Sequence, residues 1–179
     1  IVLLKNNGIL PLQADTYKRI LVTGPNADNQ SALGDWSLQQ PDENVITVYE
    51  GIKAGAPENC EVVMLSSGRF IPDMKDSLLN AVISQAKNFD LIIAVIGDNS
   101  LRFEGNKRTA GENTDLDDIA LPGLQEQLLK GLHASGKPVV AVMINGRPLA
   151  ISWLEKNLPA IVEAWEPGSF GGQAVADIL

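Results

Sequence analysis

The sequence predicts an α/β fold, a three-layer sandwich around a mostly parallel sheet of about five or six strands. Three observations carry that expectation. Residues 91–96 and 139–144 are apolar at every position and are bounded by polar residues or glycine, the pattern of strands buried on both faces. Amphipathic stretches with apolar residues three and four apart alternate with such runs. Finally, 45% of the 179 residues are hydrophobic, enough for the core of one domain and too many for a disordered chain.

The elements follow in order. Residues 19–23 read as a first strand, closed by Gly24 and Pro25, and 47–54 as a short helix. A second strand covers 60–65. The spacing of Leu78, Leu79, Val82, Ile83 and Ala86 predicts a helix over 76–87. The buried run 91–96 is a third strand. Leu124, Leu128, Leu129 and Leu132 share a face of a helix over 123–134, with Pro122 before it as a start signal and Gly136 after it as a stop. Residues 139–144 form a fourth strand, 149–156 a short helix, 160–164 a last strand, and 171–179 the beginning of a helix. The chain opens in an apolar run, Ile1 to Leu4, without methionine, and ends inside a helical pattern. Neighbouring sequence is therefore expected on both sides of this single domain, residues 1–179.

Composition excludes several functions. The net charge is −8, whereas a nucleic-acid binder needs a basic face against phosphates. No apolar run approaches the ~18 residues of a membrane span, and no basic amphipathic helix suits an anionic membrane surface. Cys60 is the only cysteine, so neither an internal disulfide nor a cysteine-built zinc site can form. His133 is the only histidine, and its place near the end of a predicted helix suits an exposed side chain. The segment after the first strand, Gly24-Pro25-Asn26-Ala27-Asp28, is not a dinucleotide fingerprint. There is no phosphate-binding P-loop and no serine nucleophile elbow. Asp115, Asp117 and Asp118 lack the ligand spacing of a calcium loop. Neither a metal nor a cofactor is implied.

Three segments could carry chemistry. Ligands of open α/β sheets sit outside the carboxyl ends of the strands, and all three lie there. The connection over 99–121 is far longer than the ~2–6 residues usual in α/β units. It holds Arg102, Glu104, Lys107, Arg108, Glu112, Asp115, Asp117 and Asp118. It is either a solvated charged loop or an arm that delivers a carboxyl group to a substrate, as glycoside cleavage requires. Gly34-Asp35-Trp36-Ser37 sets a tryptophan in a polar loop. Its indole either stacks on a pyranose ring or folds back as a small local core. Trp153 and Trp165 are expected to pack in the fold. Asn145-Gly146-Arg147-Pro148 forms a strand-end turn, in which Arg147 either pairs with a carboxylate of the long loop or lies at the surface.

Read together, these segments resemble the second domain of family 3 glycoside hydrolases, the β-glucosidase and β-xylosidase type. The match runs through Val2-Leu3-Leu4-Lys5-Asn6 and Gly8-Ile9-Leu10-Pro11-Leu12, then 19–28 (RILVTGPNAD) and Gly34-Asp35-Trp36-Ser37. It continues through Leu121-Pro122-Gly123-Leu124-Gln125, Asn145-Gly146-Arg147-Pro148-Leu149, Glu163-Ala164-Trp165-Glu166-Pro167-Gly168 and Gly171-Gly172-Gln173-Ala174. Each motif alone is modest, but their order and spacing are specific and span the chain.

The resemblance implies a two-domain, retaining exo-glycosidase. A TIM-type barrel before this domain carries the aspartate nucleophile, and this domain lends the acid/base glutamate. The two carboxyl groups of a retaining enzyme lie ~5–5.5 Å apart. Glu112, ten positions before Pro122, is the first choice for the acid/base; Glu104, in Glu104-Gly105-Asn106, is the second. Trp36 is implied as a platform for the leaving-group side of a β-linked oligosaccharide. The sequence departs from the family at Leu116, where many members carry arginine after the aspartate. The implied partners are the β-glycoside substrate and the barrel, with no nucleic acid and no membrane. A periplasmic or secreted parent is compatible with that activity. A non-catalytic carbohydrate-binding or scaffold module is the alternative.

Overall fold

The computed structural model describes residues 1–179. It is a three-layer α/β/α sandwich around one six-stranded sheet. The strands are β1 (Val2–Asn6), β2 (Arg19–Thr23), β3 (Glu61–Met64), β4 (Leu91–Gly97), β5 (Val139–Ile144) and β6 (Ala160–Glu163). Their order across the sheet is β1-β6-β5-β4-β2-β3. Every pairing is parallel except β1 with β6, which is antiparallel. The apolar run at the start of the chain is thus a sixth strand on the sheet edge. An edge strand explains why Val2, Leu3 and Leu4 remain about half exposed.

Alternation along the central strands builds two cores. On one face, Ile92, Ala94 and Ile96 of β4 and Val139, Ala141 and Met143 of β5 pack under three helices. These are α2 (Asp76–Gln85), α3 (Gln125–His133) and α4 (Ser152–Asn157), which contribute Leu79, Val82, Leu128, Leu129, Leu132 and Leu154. On the other face, Leu91, Ile93, Val95, Val140, Val142 and Ile144 meet α1 (Val48–Gly55) and α5 (Gly171–Ala176) through Val48, Ile52 and Val175. β4 and β5 are buried at every position, as their uninterrupted apolar sequence requires. No helix is long and apolar enough to cross a membrane.

Local rules set the helix ends. Thr47 caps α1 with a reciprocal capping box: its hydroxyl accepts the Glu50 N–H, and the Glu50 carboxylate accepts the Thr47 N–H at 2.8 Å. The helix expected from residue 123 starts later, at Gln125. Gly123 has a φ of +67°, outside the right-handed helical region, so Pro122 and Gly123 form a turn before the helix. His133 stands exposed in the last turn of α3 and meets the Trp153 ring edge-on at 5.7 Å. Trp153 packs against the first core, as expected. Trp165 does not: it is 39% exposed with a φ of +59°. The chain turns sharply as it leaves β6, and that turn swings the indole out of the core.

Candidate functional site

The carboxyl ends of β2, β4, β5 and β6 gather the three chemical segments of the sequence. Gly97 ends β4 where a Cβ would lie 2.0 Å from the Ile144 carbonyl of β5, so only glycine fits. The buried Gln125 amide closes this end from the other side. Its Nε2 donates to the Gly97 carbonyl and its Oε1 accepts the Gly97 N–H, both at 2.8 Å. A side chain thus satisfies the last peptide group of the strand.

The long connection departs from here as an anchored arm. Asp98, 2% exposed, accepts the Thr109 hydroxyl at 3.0 Å and the Arg147 Nε at 2.8 Å. Thr109 also accepts the Asn99 N–H at 2.9 Å, and the Asn99 carbonyl accepts the N–H groups of Thr109 and Ala110. The segment between folds as a 3-10 turn, Arg102–Lys107. Farther along, Arg147 also binds the Asp115 carboxylate, and the Ala150 N–H donates to the Ile119 carbonyl at 2.7 Å. Arg147 therefore pairs with carboxylates at the root and at the tip of the arm. Asp115 thus finds its cation on the turn after β5.

The Trp36 loop meets the arm through Asp35. The Asp35 carboxylate accepts the Glu112 N–H at 2.6 Å and an Arg102 N–H at 3.2 Å, and Arg108 lies 3.5 Å away. Burial pushes the Asp35 carboxyl up. The Glu112 amide and the two guanidinium groups outweigh it and hold the carboxyl below its ordinary range. Arg102 also binds the Glu112 carboxylate at 2.7 Å and lies 3.9 Å over the Trp36 ring, a cation–π distance. Trp36 itself is 78% exposed, so it forms no local core.

Asp35 also lines a cleft of about 570 Å³ whose other lining residues are mostly polar, among them Ser100, Asn113, Arg147 and Glu166. Glu112 lies on the arm between two of the lining residues, Gly111 and Asn113. Glu104 is elsewhere, half-buried in the 3-10 turn and outside every ion pair of the molecule. The structure brings Glu112 and Trp36 to one place and leaves Glu104 apart.

Sequence reasoning assigned no role to Asp35, Asp98, Glu163 or Glu166. Glu163 is 4% exposed at the end of β6, where it accepts the Trp165 N–H at 3.0 Å and the Asn145 amide at 3.2 Å. Burial pushes its carboxyl up, against those two hydrogen bonds. One signal was available: a charge ending a buried apolar strand needs partners.

An open, mostly parallel sheet with a cleft at its strand ends, carboxylates in the lining and the exposed Trp36 on a neighbouring loop, makes this an α/β domain with one candidate site. Comparison makes the assignment specific. The chain matches the glycosyl hydrolase family 3 C-terminal domain over residues 1–179, and it belongs to that family. It is 34% identical over 187 residues to a β-xylosidase of Formosa agariphila, matching 100% of this chain and 24% of that protein. It is 36% identical over 197 residues to the β-glucosidase BoGH3A of Bacteroides ovatus, again over 100% of this chain and 25% of the relative. Among solved structures, a β-glucosidase involved in saponin metabolism from intestinal bacteria superposes with a TM-score of 0.82 at 30% identity. That superposition covers 98% of this chain and 29% of the other. A GH3 exo-β-xylosidase in complex with a xylobiose aziridine probe gives 0.83 at 27% identity, covering 98% and 22%. The chain thus spans about a quarter of the length of the curated relatives it matches.

Proposed function

We propose that this chain is the acid/base-bearing domain of a retaining, exo-acting β-glycosidase that removes terminal non-reducing β-D-glucosyl or β-D-xylosyl residues. The observation that carries the reading is that Arg102 touches both Glu112 and Trp36, and Asp35 ties their loops together beside the cleft, in a chain of this family. The aspartate nucleophile belongs to a TIM-type barrel elsewhere in the parent protein. Between the two domains the glycosidic bond is cleaved and the leaving group lies against the Trp36 indole, whose apolar face suits the axial hydrogens of a pyranose.

In the first step Glu112 protonates the departing glycosidic oxygen while the nucleophile attacks the anomeric carbon. In the second it takes a proton from the water that releases the sugar. Arg102 pairs with the Glu112 carboxylate. Glu104 is the second choice for the role. Without a nucleophile, the 179 residues alone bind sugar at most.

The full-length parent, screened against aryl β-glucosides and aryl β-xylosides, tests the reading. Release of one of these sugars with retained anomeric configuration supports it. No turnover of either series by folded full-length protein sinks it in favour of a non-catalytic carbohydrate-binding or scaffold module.

A further inference from the structure

Glu166 is the cleft carboxylate that no arginine neutralises. Asp35 has Arg102 and Arg108, and Asp115 has Arg147, whereas Glu166 stands half-buried in the loop after β6 and takes part in no ion pair. Its neighbours are hydroxyl and backbone. Oε1 accepts the hydroxyl of Ser100, at the root of the arm. The same oxygen packs on Gly146 of the turn after β5, where a Cβ would fall 3.0 Å away. Oε2 packs on Gly34, directly before Asp35 and Trp36, where a Cβ would fall 2.5 Å away. Two residues on, the Gly168 N–H donates to the Ala32 carbonyl at 2.7 Å, tying the same two loops a second time. One carboxyl from the β6 loop therefore touches the loops that leave β2, β4 and β5.

The environment is costly for a charge. Burial pushes the Glu166 carboxyl up, the Ser100 hydrogen bond draws it back, and the negative Asp35 and Asp98 push it up further. Burying a carboxylate without a cation costs free energy that only hydrogen bonds and packing can offset.

We propose that Glu166 is a positioning residue: it clamps the Trp36 loop to the root of the Glu112 arm and so fixes the leaving-group side of the cleft. The kinetic consequence rests on the glycosidase reading above; the clamp itself does not.

The test uses the full-length protein with Glu166→Ala, Ser100→Ala and Glu166→Gln. Backbone hydrogen exchange over residues 33–38 accelerates in both alanine variants. It stays at the wild-type rate in Glu166→Gln, which keeps the volume and an acceptor for Ser100. With a disaccharide substrate, Glu166→Ala raises KM about tenfold with kcat within about twofold, the pattern of lost uniform binding. Adding Glu166→Ala to Trp36→Ala costs little more than Trp36→Ala alone, because the two act through one platform. Unchanged exchange at 33–38 in both alanine variants overturns the proposal whatever the activity. So does full additivity with Trp36→Ala, or a Glu166→Gln variant as impaired as Glu166→Ala. Accelerated exchange in a protein that hydrolyses no glycoside supports the clamp and sinks the glycosidase reading instead. If Glu166→Ala does not fold, Ser100→Ala, which removes only a hydroxyl, decides the exchange result.

Discussion

The carboxylate of Asp35 accepts the backbone N–H of Glu112 at 2.6 Å, joining two loops 77 residues apart in sequence. Asp35 stands next to Trp36, the proposed platform, and the Glu112 side chain is the candidate proton donor. A hydrogen bond from a main-chain amide to a carboxylate is directional and charge-assisted. It fixes where the Glu112 backbone sits. The two halves of the candidate site are thus set by one another.

The role of Glu112 can be read from leaving groups. In the full-length protein, Glu112→Gln lowers kcat/KM for poor leaving groups by about 10²–10⁴-fold, the usual worth of a general acid. Activated aryl glycosides, which need less protonation, lose less in the first step. Added azide restores turnover of an activated substrate and yields a β-glycosyl azide. Intact activity in Glu112→Gln together with its loss in Glu104→Gln transfers the role to Glu104.

Removing the Asp35 charge has two consequences with different readouts. Asp35→Asn weakens the hold on Glu112 and Arg102, and kcat/KM in the full-length protein falls by about a hundredfold, the cost of a small misplacement near the chemistry. Stability depends on pH with a definite sign. The folded Asp35 carboxyl lies below its ordinary range, so its contribution is present above the unfolded carboxylate value of ~3.9 and is lost as pH falls through the lower folded value. The gap in urea midpoint between wild type and Asp35→Asn is therefore wide at pH 7 and narrows toward pH 3. A gap independent of pH would falsify the assignment of that stability to the charge.

Trp36 should affect binding and leave the fold alone. Its indole is 78% exposed, so Trp36→Ala changes unfolding free energy by no more than about 0.5 kcal/mol, as for other surface positions. KM for a disaccharide rises about tenfold, while an aglycone too small to reach the platform shows little change. Equal losses for both substrates would place the indole away from the leaving group.

Glu163 gives the opposite pH behaviour to Asp35. Burial raises its folded carboxyl above the ordinary range. Its linkage is most favourable below the unfolded value of ~4.3 and is lost as pH rises through the folded value. Glu163→Gln, neutral at all pH, therefore gains on the wild type as pH rises from 4 to 7. The gain is about 2–4 °C in Tm for each kcal/mol recovered in a domain of this size. Thermal scans of the purified domain at both pH values measure it; a difference that stays constant contradicts the buried-charge explanation.

The sequence alone determined the sheet and its two covering layers. Short, β-branched apolar runs bounded by polar residues or glycine, such as Leu91–Gly97, point to strands buried on both faces, and the three- and four-residue spacing in α2 and α3 points to helices lying on them. It also marked the unusual length of the arm and, through the family resemblance, Glu112 or Glu104 and Trp36 as candidates. Tertiary structure alone decided the rest. The antiparallel edge strand Val2–Asn6 depends on pairing with β6, more than 150 residues away. Glu112 differs from Glu104 because Asp35 reaches it from a distant loop and Arg102 folds back on it within the arm. Glu166 matters because Ser100, Gly34 and Gly146 converge on it. Periodicity is a local property that each segment carries by itself, whereas a charge acquires its partners, and hence its chemistry, only when distant strand ends are brought side by side.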